Sequence, residues 1–323
     1  MTGRFVVSLD FEKFWGMFDV VSVDEYKENL RNVDDVVDRL LELFVKYRIH
    51  ATWATVGLLL HDGRDDIERY LPKDRDFYDN PSLNPYEYIK GTPLEPYEFY
   101  FAPRAIDKIA STPFQEIASH TYSHYYCLAE GQDICNFKED LDLFRVVSSS
   151  RGYGVTTIVF PRNQVNKGYL PLLLEYGITC YRGNEDHIVY QPDRYKHTFT
   201  LLKRIIRFLD RYVNLTGHHT YALDQQSEGL LNVRSSRFLA PYDPRFRKWE
   251  SLRLKRIKDS MTYAAKNKQV FHLWWHPHNF GKHVDENMVF LESLLKHFVY
   301  LNETYDMQSR NMAELALECK SPK

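Results

Sequence analysis

The sequence predicts an α/β domain built on a parallel sheet. Apolar runs of strand length alternate with segments in which apolar residues recur every three to four positions. The strand-like runs at 4–11 and 50–60 flank segment 33–47, whose valines, leucines and phenylalanine have helical spacing. A strand, a helix and a second strand in this order are typical of a parallel pair joined by a crossover helix.

The alternation continues along the chain after one long interruption. Residues 61–104 are rich in Asp, Pro, Tyr and Asn, which predicts an insertion after the second strand. Its aromatic part, 77–101, is expected either to cover a site or to form a contact between subunits. Segment 184–245 is less certain, and we expect one domain over 1–323. The later strands are predicted at 115–120, 155–161, 178–183 and 269–281, and the later helices at 137–152, 167–177, 196–213, 245–268 and 285–302.

The composition excludes several classes of partner. The 42 basic and 44 acidic residues give a formal charge of −2, so nothing in the charge balance favours nucleic acid. The four cysteines form no C-x-x-C motif, which predicts a fold without structural disulfides. No apolar window reaches the roughly 20 residues of a membrane span, and no signal peptide is visible. We therefore expect a soluble, cytoplasmic protein, with a homo-oligomer as an open alternative.

Polar and ionisable side chains follow nearly every predicted strand. Ligands of α/β proteins gather at the carboxyl ends of the strands, so these side chains are the candidates for chemistry. In chain order they are Asp10 and Glu12, His120 and His124, Arg162, Asn163 and Gln164, Arg182 and Glu185, and His276 and His278.

The segment "SHTYSH" places His120 and His124 four residues apart. Such a pair can converge on one ion if the segment forms a helical turn, and a carboxylate from a neighbouring strand can supply a third ligand. Two histidines alone are more often packed or exposed side chains without a metal. Beside Asp10 and Glu12, a metal site becomes the better interpretation. Both carboxylates share one face of an extended strand, so the sequence leaves open which of them is the ligand.

Three segments resemble motifs of the NodB-type polysaccharide deacetylases. "SLDFE" resembles their acidic first motif, "SHTYSH" their histidine motif, and "LWWHPHN" the histidine after their last strand. "FPRNQ" stands where the family has an Arg- and Pro-rich motif. The resemblance extends from residue 4 to about residue 281. It implies an irregular (β/α)7-type barrel.

The resemblance also implies a function. It indicates a metal-dependent hydrolase that removes an N-acyl group, acetyl or formyl, from an amino sugar. The substrate would be an N-acylated sugar or sugar-containing intermediate of surface-polysaccharide, O-antigen or lipopolysaccharide biosynthesis. His120, His124 and a first-motif carboxylate, Glu12 or else Asp10, would bind a divalent metal. Zn²⁺ is expected, with Co²⁺, Mn²⁺ or Ni²⁺ as alternatives.

Catalytic roles follow from the same resemblance. Asp10 would be the general base, His276 the general acid that protonates the leaving amine, and Arg162 the residue that orients the base. Pro277 fixes a turn after His276, so we expect only one of the two flanking histidines to point inward. Candidate substrate-binding residues are Trp275, His278, Asn163 and Arg182.

Two departures from the family pattern leave alternatives open. Phe11 stands where the family has a second aspartate, with Glu12 one position later, and Arg162 follows Pro161 instead of preceding it. The chain is therefore a deacetylase, a C–N hydrolase acting on a small non-sugar amide like the allantoinase-like relatives of this barrel, or a non-catalytic carbohydrate-binding protein.

Overall fold

The computed structural model describes residues 2–72, 77–190, 200–223 and 229–320, and it contains a nine-stranded sheet whose strands pair in parallel. The strands are β1 Arg4–Phe11, β2 Ala51–Thr55, β3 Gln115–Ser119, β4 Thr157–Ile158, β5 Cys180–Tyr181, β6 Leu231–Asn232, β7 Arg237–Phe238, β8 Val270–Trp275 and β9 Gln308–Ser309. The helices are α1 Val23–Arg31, α2 Val33–Tyr47, α3 Arg64–Ile67, α4 Pro85–Gly91, α5 Tyr97–Tyr100, α6 Pro103–Ser111, α7 Ile134–Ser150, α8 Leu170–Glu175, α9 Thr200–Asp210, α10 Glu250–Lys266, α11 Val284–Tyr305 and α12 Met312–Lys320.

The sheet closes through the short strands β6 and β7. The strand order is β6-β5-β4-β3-β2-β1-β8-β7, with β9 beside the start of β1. The backbone N–H groups of Leu231 and Val233 donate to carbonyls on and beside β5, whereas those of Ser236 and Leu239 donate to β8. The segment from β6 to β7 therefore hydrogen-bonds to β5 on one side and to β8 on the other. It occupies the position of one strand in the barrel. This confirms the predicted irregular (β/α)7-type fold.

The register brings the functional strand ends to one level. β1 is buried along nearly its whole length, as expected for a central parallel strand covered on both faces. Leu9 pairs with Trp275 of β8, and Phe11 pairs with Thr55 of β2. The carboxyl ends of these three strands therefore open onto the same end of the barrel.

The insertion after β2 packs against the turn that follows β1. The buried Lys13 ammonium donates to the carbonyl oxygens of Glu98 at 2.8 Å and Phe101 at 3.2 Å, and Trp15 Nε1 donates to the Tyr100 carbonyl at 2.7 Å. Among the described aromatic residues of 77–101, only Tyr97 is exposed. Most aromatic side chains of this segment therefore belong to the core, while a cover over the site and a contact between subunits both stay predictions.

Several predicted bounds differ from the observed ones. The predicted strand 50–60 ends at Thr55 because Gly57–Leu60 forms a 3₁₀ turn. The predicted helix 196–213 is observed as α9, and its residues 196–199 lie outside the described part of the chain. The two-residue strands β6, β7 and β9 are too short to show a hydrophobic period. None of the described helices combines the length and hydropathy that crossing a bilayer requires.

Candidate metal and catalytic centre

A buried carboxylate and two buried imidazoles meet at the open end of the barrel. Glu12 Oε2, just past β1, lies 3.2 Å from His120 Nε2 and 2.9 Å from His124 Nε2, both just past β3. One ligand atom from each residue lies within 4.8 Å of the other two. The carboxylate that joins the histidines is therefore that of Glu12, one of the two that the sequence left open.

The turn after β3 aims both imidazoles at this carboxylate. His120 Nδ1 lies 2.8 Å from the Val159 carbonyl oxygen, and His124 Nδ1 lies 3.2 Å from the Tyr126 hydroxyl. Thr121 and His124 have φ values of 62° and 58°, so the pair converges through left-handed residues and not through the expected helical turn. Partners on the far ring nitrogens are typical of metal-binding histidines, because they fix the orientation and tautomer of each ring.

Asp140 of α7 holds this turn from behind, and the sequence analysis missed it. Its buried carboxylate accepts the backbone N–H groups of Tyr122 at 2.6 Å and Ser123 at 3.0 Å, and also the Ser123 hydroxyl. The available signal was an aspartate on the apolar face of a helix, one residue before the buried Leu141. A carboxylate buried on the apolar face of a helix needs hydrogen-bond donors around it. Such an aspartate therefore indicates a structural contact.

Glu12 occupies a space that a glycine leaves open. A Cβ atom on Gly16, in the tight turn after β1, would lie 2.1 Å from both Cδ and Oε1 of Glu12. Burial raises the pKa of Glu12, but the surrounding histidines, His276, His124 and His120, hold it well below its ordinary value. The residue is therefore an anion packed among imidazoles, a donor set that suits a divalent cation.

Asp10 is paired with Arg182. The guanidinium donates to both carboxylate oxygens, at 2.6 and 2.7 Å, and also to Ser8 Oγ and Asn163 Oδ1. It lies over the Trp274 ring at 4.2 Å. Burial raises the pKa of Asp10, but Arg182, His120 and His276 together lower it by more, so the carboxylate is ionised near neutral pH. The buried Arg182 thus positions Asp10, and its predicted contact with substrate is contradicted.

Arg162 does not orient Asp10, so that prediction is wrong. Its guanidinium lies 2.5 Å from Asp19 Oδ2 and 4.2 Å from the centre of the Tyr126 ring. The backbone at Arg162 is left-handed, with φ of 53°, in the 3₁₀ turn Pro161–Asn163 that follows β4. Asp19 Oδ1 accepts the Tyr126 hydroxyl at 3.2 Å, and this hydroxyl contacts His124. Arg162 therefore supports a histidine of the cluster.

Both histidines after β8 reach the site, contrary to the expectation that only one does. His276 Nε2 lies 3.6 Å from Asp10 Oδ2 and 3.6 Å from Glu12 Oε1, and its side chain is 22% exposed. His278 Nε2 lies 3.8 Å from Glu12 Oε1 but is buried. The 3₁₀ turn that begins at Pro277 stacks the two rings with centroids 5.1 Å apart. Only His276 of the pair lines the cavity described below.

The substrate-binding prediction for Trp275 is wrong. Its side chain is fully buried and packs against Phe280 and Phe44, because it belongs to the core face of β8. The preceding Trp274 points to the other face and lines a cavity of about 460 Å³. Asn163 and His276 also line this cavity, which places it beside the histidine cluster.

The residues present fit a divalent metal. One carboxylate oxygen and two imidazole nitrogens are the protein donor set of many catalytic zinc sites, in which the remaining position is left for water or substrate. Glu12, His120 and His124 would be the ligands, while Asp10 is fully engaged by Arg182. The Asp10 carboxylate therefore lies beside a cluster that could hold a metal, but is not part of it.

Comparison with known proteins supports the fold. No protein-family profile and no curated protein matches the sequence. Two similar solved structures are named as polysaccharide deacetylases. The one from Mycobacterium smegmatis has a TM-score of 0.61 at 13% identity, over 99% of this chain and 90% of that chain. The one from Pseudomonas aeruginosa PAO1 has a TM-score of 0.52 at 13% identity, over 97% and 89%.

A third similar structure carries a different name. The GH57-type branching enzyme from Pyrococcus horikoshii has a TM-score of 0.56 at 12% identity, over all of this chain and 71% of that chain. The protein is thus an α/β barrel of the kind found in polysaccharide deacetylases, as its motifs predicted. Because the branching enzyme is also similar in fold, the reaction has to be argued from the site.

Proposed function

We propose that the protein is a metal-dependent hydrolase that removes an acetyl or formyl group from the nitrogen of an amino sugar. One observation carries the proposal. The buried Glu12–His120–His124 cluster lies beside an ionised carboxylate, Asp10, and a partly exposed imidazole, His276, at the edge of a cavity. Amide hydrolysis needs an activated carbonyl, a proton acceptor for water and a proton donor for the leaving amine.

Each of these tasks has a matching group. A bound divalent metal would polarise the amide carbonyl and lower the pKa of water to about 7. The Asp10 carboxylate accepts the proton from the attacking water, and Arg182 keeps that carboxylate charged and fixed in orientation. His276 donates a proton to the amine nitrogen as the C–N bond breaks.

The arrangement of the acid and the base supports a proton relay. His276 Nε2 and Asp10 Oδ2 lie 3.6 Å apart. This separation exceeds a direct hydrogen bond, so the proton taken up by Asp10 passes to His276 after a small approach of the two side chains, and then to the amine. The products are a carboxylic acid and a free amino sugar.

The geometry supports catalysis over a decayed scaffold. The best sign of decay in the sequence was Phe11, which stands where the family has an aspartate. Phe11 is fully buried and packs against Trp53, while Glu12 turns into the cluster. The departure therefore moves the candidate ligand by one position and does not remove it.

Metal analysis and deacylation assays test the proposal together. We expect about one Zn²⁺ per chain after reconstitution and turnover of N-acetyl or N-formyl amino sugars but not of cyclic or linear non-sugar amides. His120→Ala should lose both metal and activity. His297→Ala, a histidine on α11 bonded to Thr262, is the matched control and should keep both. The proposal fails if His120→Ala behaves like the control.

The biological setting stays a prediction. We further propose that the substrate is a cytoplasmic intermediate of surface-polysaccharide synthesis, a setting suggested by the amino-sugar substrate. Deletion of the encoding gene should then cause an N-acylated precursor to accumulate, as detected by mass spectrometry of cell extracts.

A further inference from the structure

We propose that the cavity beside His276 binds a phosphate group of the substrate. The reacting amino sugar would then be carried as a sugar phosphate, either a phosphoester or a nucleoside diphosphate sugar. The identity of the sugar rests on the function proposed above, whereas the phosphate site rests on the cavity itself.

The cavity is strongly basic. Four arginines line its wall together with a single carboxylate, Glu185. The four are Arg162, Arg207, Arg211 and Arg237. The whole protein is nearly neutral, with a formal charge of −2, so this is a local concentration of positive charge. Such concentrations attract anionic ligands.

Two of these arginines are already neutralised within the protein. Arg162 lies 2.5 Å from Asp19, and Arg237 lies 2.9 Å from the buried Asp210. Arg207 donates through Nε to the Val189 carbonyl oxygen at 2.7 Å. Because this acceptor is neutral, the contact does not balance the positive charge of Arg207.

Arg207 and Arg211 carry the available charge. In the described ranges of the chain, neither forms an ion pair within 4.0 Å. Arg211 is exposed, and Arg253 is a further cation near it. Crowding of cations in a partly buried wall is costly, and an anion in the cavity would relieve it. Even if Glu185 balances one of the two charges, at least one remains.

Two hydrogen-bond donors of the wall are also unused. Arg237 Nε and Trp274 Nε1 are buried and have no hydrogen-bond partner among the residues that the structure describes. Both belong to residues that line the cavity. Buried donors usually have an acceptor, and a small rotation of either side chain would turn its donor towards acceptor oxygens of a ligand in the cavity.

Phosphate matches this wall better than a carboxylate does. A phosphomonoester or a diphosphate carries close to two negative charges and more acceptor oxygens than a carboxylate, which carries one charge. The planar guanidinium fork binds phosphate oxygens in pairs. His276 joins this cavity to the cluster, because it lines the wall and lies 3.6 Å from both Asp10 and Glu12.

Binding to the metal-free protein isolates the phosphate site from the metal centre. We would titrate chelator-treated protein with inorganic phosphate, glucosamine 1-phosphate, UDP and glucuronate, using calorimetry. We expect Arg211→Gln and Arg207→Gln each to weaken binding of the phosphate probes about 10-fold to 100-fold, as for a lost charge-assisted hydrogen bond. Arg204→Gln is the matched control, because Arg204 lies on the same helix as Arg207 and is not part of the wall.

The probes also identify the source of the phosphate. Tighter binding of UDP than of glucosamine 1-phosphate supports a nucleoside diphosphate sugar, and the reverse order supports a simple phosphoester. Three results would overturn the proposal: no binding of any phosphate probe, equal affinity in Arg211→Gln and wild type, or preference for glucuronate. Circular dichroism and thermal melting confirm that each variant is folded. Failure of the proposed hydrolase would appear separately, as absent deacylation with phosphate binding intact.

Discussion

Gly16→Ala should empty the metal site although residue 16 is not a ligand. The added Cβ would lie 2.1 Å from Cδ and Oε1 of Glu12. Since ordinary van der Waals contact begins at 3.4 Å, the carboxylate has to move by about 1.3 Å. Gly16 has no left-handed φ, so the backbone tolerates alanine there.

The size of the displacement sets the expected loss. Metal–ligand distances tolerate shifts of only about 0.2 Å, so a carboxylate displaced this far no longer joins His120 and His124 at one ion. We expect zinc affinity to fall at least about 100-fold, which is about 2.7 kcal/mol. The clash involves the end of a flexible side chain, so the free energy of unfolding should fall by no more than about 1–3 kcal/mol.

A chelator-competition titration of zinc measures the effect, and urea denaturation of the metal-free protein measures stability. Gly154→Ala is the control, because a Cβ there meets no atom within 4 Å. Glu12→Gln, which keeps the shape of the side chain but removes its charge, should weaken zinc binding without the steric clash. Wild-type zinc affinity in Gly16→Ala would refute the placement of Glu12 in the metal site.

Three further predictions concern buried carboxylates. Arg182→Met should lower the free energy of unfolding by about 3–5 kcal/mol, because the buried Asp10 loses its partner, and adding Asp10→Asn should restore part of it in urea denaturation. Asp140→Ala should weaken zinc binding about 10-fold to 100-fold in the same competition titration, since three donors of the histidine turn lose their acceptor. Burial raises the pKa of Asp210, but Arg237, Arg256 and the backbone N–H of Leu215 together lower it by more, to about 2, so up to about 2 kcal/mol of stability should be lost as the pH falls from about 4 to about 2. In Asp210→Asn, the free energy of unfolding should depend less on pH between about 4 and about 2. An unchanged pH dependence in this variant would contradict the lowered pKa of Asp210.

The choice between Asp10 and Glu12 shows why some site residues needed the tertiary structure. Both side chains leave the same face of β1, so alternation alone predicts that both reach the site. Their partners decide their roles. Arg182, which follows β5, forms an ion pair with Asp10, while the turn after β3 places two imidazoles beside Glu12. The same limit explains the error over Arg162, since its sequence position cannot show that a left-handed backbone turns it towards Asp19.

The sequence by itself determined the strand–helix alternation, the position of the insertion and the histidine pair at a strand end. These features depend on local periodicity and on the rule that parallel strands finish at one edge. The tertiary structure alone decided how the barrel closes, which carboxylate joins the histidines and which tryptophan faces the cavity. Those outcomes depend on contacts between residues far apart in the chain, and on a one-residue choice of strand face that apolar runs such as "HLWW" leave undetermined.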